Sequence, residues 1–244
     1  MKYTTKDIEK FGTILGIWAH PDDEAFSSAG FMSAAVANRQ RVAVVTATKG
    51  DAGKSADESR WPAKQLANIR EAEQHQSLQA TGVTEHYWLN YNDGKLIQAE
   101  AIKAIDEIID ILAEVNPDTV ITFDQDGITG HDDHRTIHKW ALSAVKKSGK
   151  VTKVLCAKEN QEFYETIGKK LDQKYNMYFN VDKPEVVSIE SVSVCYMLSN
   201  DEKAKKRQAL QAHASQTSDL FKTDDGKIAL EKFCECECFS EITL

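Results

Sequence analysis

The chain has 244 residues, of which 41% are hydrophobic and 28% charged, and its formal net charge is −8. That length can bury a sizeable core, while the acidic balance argues against an extended phosphate-binding face and hence against a nucleic-acid partner. No apolar run approaches the roughly 18 residues a membrane span needs, and residues 1–7 lack a signal-peptide core, so a cytoplasmic location is expected.

Residues 12–18 read as a buried strand bounded by Pro21. The strand runs into Ala19-His20-Pro21-Asp22-Asp23-Glu24, which places an imidazole and two aspartates where a strand gives way to a loop. In open α/β sheets that edge is where ligands bind. Residues 25–38 read as a helix and Arg41–Ala47 as a second strand. The polar loop Thr48–Glu58 follows; it has no full P-loop pattern. A long helix over 62–80 is stopped by Gly82, a short strand covers His86–Leu89, and Asn92-Asp93-Gly94 forms a turn. Residues 98–115 form an amphipathic helix with Ile102, Ile105, Ile108, Ile109 and Leu112 on one side. The strand 118–123 leads to a second cluster, Gly130-His131-Asp132-Asp133-His134, then a helix over 133–147 and a strand over 151–156. This alternation implies an α/β fold with a mainly parallel sheet and helices on both faces.

The pattern changes after residue 156. Residues 160–180 are polar with scattered aromatics, Pro184–Val194 holds one or two strands, Glu202–Ala214 is helical and Asp224-Asp225-Gly226 is a turn. With no linker or repeat, one domain over 1–244 is expected, its core at about 12–156 and a divergent extension at about 157–244 shaping the substrate pocket. The five cysteines are odd in number and badly placed for a disulfide framework. Cys156 and Cys195 lie in apolar runs and read as core thiols. Cys234, Cys236 and Cys238 alternate with Glu235 and Glu237, as on an edge strand with thiols on one face and glutamates on the other. Metal binding or thiol chemistry is the alternative reading of that run.

Two histidine–carboxylate clusters at two strand ends suggest one divalent metal held between them. A catalytic zinc has three protein ligands and an open position, and a further carboxylate takes the proton of the attacking water. Adjacent Asp22 and Asp23 supply both uses, or else simply cap the helix that follows them. His138 lies one helical turn beyond His134 but reads as structural, because two histidines and a carboxylate already complete the set. His75 and His86 read as surface or packing residues.

Together the two motifs closely resemble the N-acetylglucosaminyl deacetylase family of PIG-L and LmbE-like proteins. Thr48–Gly53, Arg70-Glu71, Asn92-Asp93-Gly94 and Ala212-His213-Ala214-Ser215-Gln216 agree in order, so the resemblance spans residues 12 to about 216. It implies a Rossmann-like three-layer fold without the Gly-x-Gly-x-x-Gly turn of dinucleotide sites. The implied activity is metal-dependent hydrolysis that removes the N-acetyl group from an N-acetylglucosamine-like sugar or glycoconjugate, a small-molecule partner. By resemblance His20, Asp23 and His134 are the metal ligands and Asp22 is the general base. His131 is the imidazole that stabilises the oxyanion or protonates the leaving amine, and Asp133 orients it. Arg70, Asp93 and His213 match substrate-binding positions. Zn2+ is the expected ion, and such donors also tolerate Fe2+, Co2+ or Mn2+. Two departures stand out. Asp132 replaces a common Pro, and Thr129 stands where some relatives carry a Tyr, for which Tyr164, Tyr175 and Tyr178 are candidate substitutes. A related hydrolase of another amide or glycosyl bond is one alternative. A catalytically idle sugar-binding or metal-binding protein is another, although binding alone would require neither Asp22 nor His131.

Overall fold

A computed structural model describes residues 2–242 except 152 and 182. Its strands are β1 (Lys2–Tyr3), β2 (Ile14–Trp18), β3 (Val42–Thr48), β4 (Glu85–Tyr91), β5 (Thr119–Phe123), β6 (Lys153–Asn160), β7 (Val186–Val187), β8 (Val194–Met197) and β9 (Cys236–Ile242). They form one sheet in the order β1-β8-β9-β6-β5-β2-β3-β4, with β7 paired to β6. The run β4-β3-β2-β5-β6 is parallel throughout. Every residue of β2, β3 and β5 is buried. Such continuous apolar runs require cover on both faces, and connecting helices supply it. Helices Ala29–Ala37, Leu66–Thr81 and Asn200–Ala212 pack together in one layer, and Ala101–Val115 packs with Asp132–Ser148 in the other.

From β2 the chain builds outward through β3 to β4, then returns to lay β5 on the other side of β2. The carboxyl ends of β2 and β5 therefore flank the point where strand order reverses, which leaves a crevice between the loops that follow them. Both histidine–carboxylate motifs sit there.

Three expectations need revision. The helix over 25–38 is two helices, Asp23–Ser27 and Ala29–Ala37, broken at Ser28. The second one begins where the Glu237 carboxylate accepts from the N–H groups of Gly30 (2.9 Å) and Phe31 (2.7 Å), satisfying donors a helix start leaves free. β9 is not an edge strand: it lies between β6 and β8, antiparallel to both, and Cys234 precedes it at a helix end. Glu237 is buried with Lys206, Nζ to Oε1 being 2.7 Å. Asp224-Asp225-Gly226 opens the helix Asp224–Phe233 rather than forming a turn. Thr223 caps it, its hydroxyl accepting from Gly226 N–H at 3.0 Å, and the two aspartates suit the positive end of the helix dipole. Among the described residues no helix is long and apolar enough to cross a membrane.

Candidate active site

After β2 the chain turns at Pro21, and Asp22 takes a φ of 105°, a left-handed conformation that is costly for any residue but glycine. Asp22 occupies the N-cap position of the next helix yet makes no capping hydrogen bond. Its Oδ2 accepts from the Arg70 guanidinium at 3.1 Å, and its N–H donates to Gln74 Oε1 at 3.2 Å. Burial pushes its carboxyl up and Arg70 pulls it partly back, leaving it at about 6. Asp23 is held differently: Oδ2 accepts from the N–H groups of Ala19 (3.1 Å) and His20 (2.7 Å).

After β5 a tight turn brings the Asp132–Ser148 helix back over the sheet edge. Gly127 has a φ of 72°, and a Cβ there would stand 2.8 Å from that of His134. The His134 ring stacks on Phe123, centroids 4.0 Å apart and 9° from parallel.

For the neutral rings, as a bound cation would require, hydrogen-bond partners decide which nitrogen of each site histidine keeps the proton. His134 Nδ1 lies 2.9 Å from the Gly127 carbonyl, which can only accept, so Nε2 carries the lone pair. His20 Nε2 faces two carboxylate oxygens, Asp93 Oδ1 at 3.0 Å and Asp133 Oδ2 at 3.2 Å, so its lone pair is on Nδ1. His131 is the reverse case. Its Nδ1 accepts from the Asp133 backbone N–H at 3.1 Å, which leaves the proton on Nε2.

The two lone pairs meet each other and Asp23. His20 Nδ1 is 3.1 Å from His134 Nε2, Asp23 Oδ1 is 3.3 Å from His134 Nε2, and Asp23 Oδ2 is 3.7 Å from His20 Nδ1. Four-coordinate zinc, with bonds of about 2.0–2.1 Å, sets its donors about 3.3 Å apart. Spacing and donor chemistry therefore both fit a divalent cation. Each of these two imidazoles also gives its other N–H to a carboxylate or carbonyl, as metal-binding imidazoles do. Burial disfavours charging His20, but Asp133, Asp93 and Asp23 outweigh it and raise the imidazole to about 10, so the site attracts positive charge. A ring nitrogen of His131 also lies within 4.8 Å of those of His20 and His134, but its tautomer makes it a donor rather than a ligand. Burial and the neighbouring imidazoles push its pKa down.

These groups line an open cleft of about 510 Å3, with Asp22, Arg70, Thr129 and Phe179 in its wall. Several expected roles change. Asp133 meets the His131 ring through its backbone N–H, not its carboxylate, which accepts from Gly94 N–H (2.7 Å) and Leu96 N–H (3.0 Å) and faces His20. Arg70 lines the cleft, and its terminal nitrogens bond to the carbonyls of Pro21 and Gly50 and to Asp22. Asp93 likewise spends its carboxylate on His20 and on Ala52 N–H (2.8 Å). His213 is wholly buried, is absent from the cleft wall, and lies 3.8 Å from Glu24 Oε1. None of Tyr164, Tyr175 and Tyr178 lines the cleft; Tyr178 donates to Glu159 at 2.8 Å. Phe179 stands there instead, edge-on to His131 with centroids 5.6 Å apart. Nothing in the sequence marks Phe179. Gln74 is missing from the expected site residues, although its place one helical turn beyond Arg70 on the same face could have marked it.

Residues 15–145, over half the chain, match the family model of the PIG-L GlcNAc-PI de-N-acetylases. The chain belongs to the PIG-L family. Among its relatives, the 1D-myo-inositol 2-acetamido-2-deoxy-α-D-glucopyranoside deacetylase of Actinosynnema mirum is 27% identical over 232 residues, covering 84% of this chain and 81% of the relative. The N,N′-diacetylchitobiose deacetylase of Pyrococcus horikoshii has the same fold, with a TM-score of 0.64 at 23% identity over 97% of this chain and 86% of that one. A 4-carboxy-2-hydroxymuconate hydratase of Pseudomonas putida also superposes, with a TM-score of 0.57 at 16% identity over 96% and 97% of the two chains. The PIG-L fold thus accommodates more than one reaction, and the chemistry must be argued from the site.

Proposed function

We propose that this PIG-L family protein is a divalent-metal-dependent N-deacetylase acting on an N-acetylglucosamine-like sugar or glycoconjugate. The carrying observation is the division among three histidine tautomers. Two lone pairs converge with Asp23 on one point, while the third ring turns an N–H toward the same cleft. His20, Asp23 and His134 would hold the ion. Zn2+ suits the set best, and Fe2+, Co2+ or Mn2+ are compatible with it. Bound there, the ion supplies Lewis acidity toward the acyl oxygen and acidifies a water.

The chain's own residues do the rest. Asp22 accepts the proton of the attacking water. A carboxyl near 6 is ionised at neutral pH yet more basic than an ordinary aspartate, which suits a general base. Arg70 fixes its orientation. His131 donates its Nε2–H to oxygen as negative charge develops there. Its ring is pinned from behind by the Asp133 backbone N–H. Protonated Asp22 then returns its proton to the departing amine, and acetate leaves. The relatives' names supply the substrate class, since both N-acetylglucosaminyl-inositol and diacetylchitobiose carry a 2-acetamido sugar.

The test is acetate and free-amine release from those two compounds and N-acetylglucosamine, using zinc-loaded and Fe(II)-loaded protein. Activity with at least one, lost in His134→Ala, is expected. Stoichiometric metal with no amine released from any N-acetylated sugar would refute the reading.

A further inference from the structure

The alternating cysteines are not used by the active site. β8 and β9 pair antiparallel with Cys195 opposite Cys238 and Met197 opposite Cys236. Residues two apart on a strand share a face, so these four positions put three thiols and one thioether on a single square of the sheet. Cys195 Sγ is 3.7 Å from Met197 Sδ. The sulfurs of Cys195, Cys236 and Cys238 lie within 4.8 Å of one another. Val192 helps bury them, with Val187 and Ile189 packed alongside.

Small apolar residues would fill that space equally well, so packing alone does not explain the sulfurs. Asn160 supplies a second, independent observation. Its Oδ1 caps the next helix, accepting from the N–H groups of Glu162 (2.7 Å) and Phe163 (3.3 Å). That fixes the amide's orientation. Its Nδ2 therefore points at the sulfurs, 3.1 Å from Cys236 and 3.6 Å from Cys238. An N–H aimed at sulfur supports a thiolate, as outer groups do around metal-bound thiolates. Lys2, the register partner of Cys195 on β1, brings a positive charge to the same neighbourhood. Cys236 is half-buried, and with Cys238 and Asn160 it lines a cavity that offers an ion a way in.

We propose that Cys195, Cys236 and Cys238, with Met197 as a fourth sulfur, bind one d10 cation, Zn2+ or Cu+, at a site sharing no ligand with the histidine–carboxylate centre. Sulfur donors select such ions. Metal–sulfur bonds of about 2.3 Å place tetrahedral sulfurs about 3.8 Å apart. The Cys195–Met197 spacing already meets that, and the three thiol sulfurs stand within 4.8 Å of one another before any ion draws them in. Binding forms metal–thiolate bonds and releases the thiol protons to solvent, with no change of oxidation state.

Cd2+ is the probe. Added to the reduced full chain whose histidine–carboxylate centre is already loaded with Zn2+, it should produce a thiolate-to-metal ultraviolet band that saturates at one equivalent. Imidazole and carboxylate ligands give no such band, so the other centre is silent. Cu+ should displace the Cd2+, whereas Zn2+, which thiolates hold less tightly than Cd2+, should do so only in large excess. Cys195→Ser and Cys238→Ser should abolish the band, Cys156→Ser should retain it, and Asn160→Ala should weaken binding roughly tenfold. If a buried variant fails to fold by circular dichroism, the half-exposed Cys236→Ser decides, with at least a tenfold loss of Cd2+ affinity expected. No band at several equivalents of Cd2+, or an unchanged band in folded Cys236→Ser, would overturn the proposal.

Discussion

Asp133→Asn removes a charge and one acceptor from a side chain with no solvent exposure. Oδ2 of Asp133 serves Gly94 N–H at 2.7 Å and His20 Nε2 at 3.2 Å, and Oδ1 serves Leu96 N–H at 3.0 Å. An amide has one oxygen. If its nitrogen replaces Oδ1, the Leu96 donor is stranded; if it replaces Oδ2, Gly94 loses its acceptor and His20 keeps only Asp93. A stranded buried donor costs about 1–3 kcal/mol, and weaker bonds to an uncharged oxygen add a similar amount. A net loss of about 3 kcal/mol follows, which for a chain of this size lowers Tm by roughly 6–12 °C. Because His20 loses an orienting partner, zinc affinity should also fall by about 10–100-fold. Thermal unfolding of the metal-free protein measures the first effect, and competition with a chelator of known affinity measures the second. Unchanged zinc affinity, together with a pH–rate profile altered as in His131→Ala, would return Asp133 to the His131 ring and refute this wiring.

Asp22→Asn should keep zinc affinity within a few-fold but slow acetate release by about 10²–10⁴-fold; near wild-type turnover would remove Asp22 from the chemistry. His131→Ala should lower turnover while elemental analysis still finds about one metal at the histidine–carboxylate centre. A base works in its deprotonated form, so activity falls as pH drops through the Asp22 pKa. Arg70 holds that pKa down against burial, so Arg70→Met should shift the acid limb of kcat/KM to higher pH, and a shift to lower pH would contradict the assignment. Lys206→Met strands the buried Glu237 and should cost about 3–5 kcal/mol in urea unfolding; a loss below 1 kcal/mol would show that the backbone N–H groups of Gly30 and Phe31 suffice for that carboxylate.

The core elements were legible because local pattern and burial coincide there: the apolar runs before His20 and after Val115 are the sheet's central strands. The donor set was legible for the same reason, since strand ends are where such residues collect. What failed was partner choice. The resemblance implied that Asp133 orients His131, yet both sit at a helix start, where side chains two apart do not face each other. The carboxylate therefore points to His20, 113 residues away. The cysteine–glutamate alternation looked like an edge strand because no local signal shows that Lys206, on a distant helix, neutralises Glu237 and so allows β9 an interior place. Arg70 and Asp93, expected by resemblance at substrate-binding positions, stand in the cleft wall, and their bonds to carbonyls and to His20 depend on loops that meet only in the folded chain.

The backbone at Asp22 sets stability against activity. A φ of 105° costs a side-chain-bearing residue about 1–3 kcal/mol, and the largely buried carboxylate adds a desolvation cost. Glycine would relieve both, and asparagine would remove the charge while tolerating positive φ better than most residues; buried Arg70 loses its ion pair in either but keeps the carbonyls of Pro21 and Gly50, which limits that cost. A library of this chain sorted only for heat resistance should therefore accumulate Asp22→Gly and Asp22→Asn, sturdier proteins without the proposed base. Directed evolution of a hardier variant would need to select for turnover in the same round.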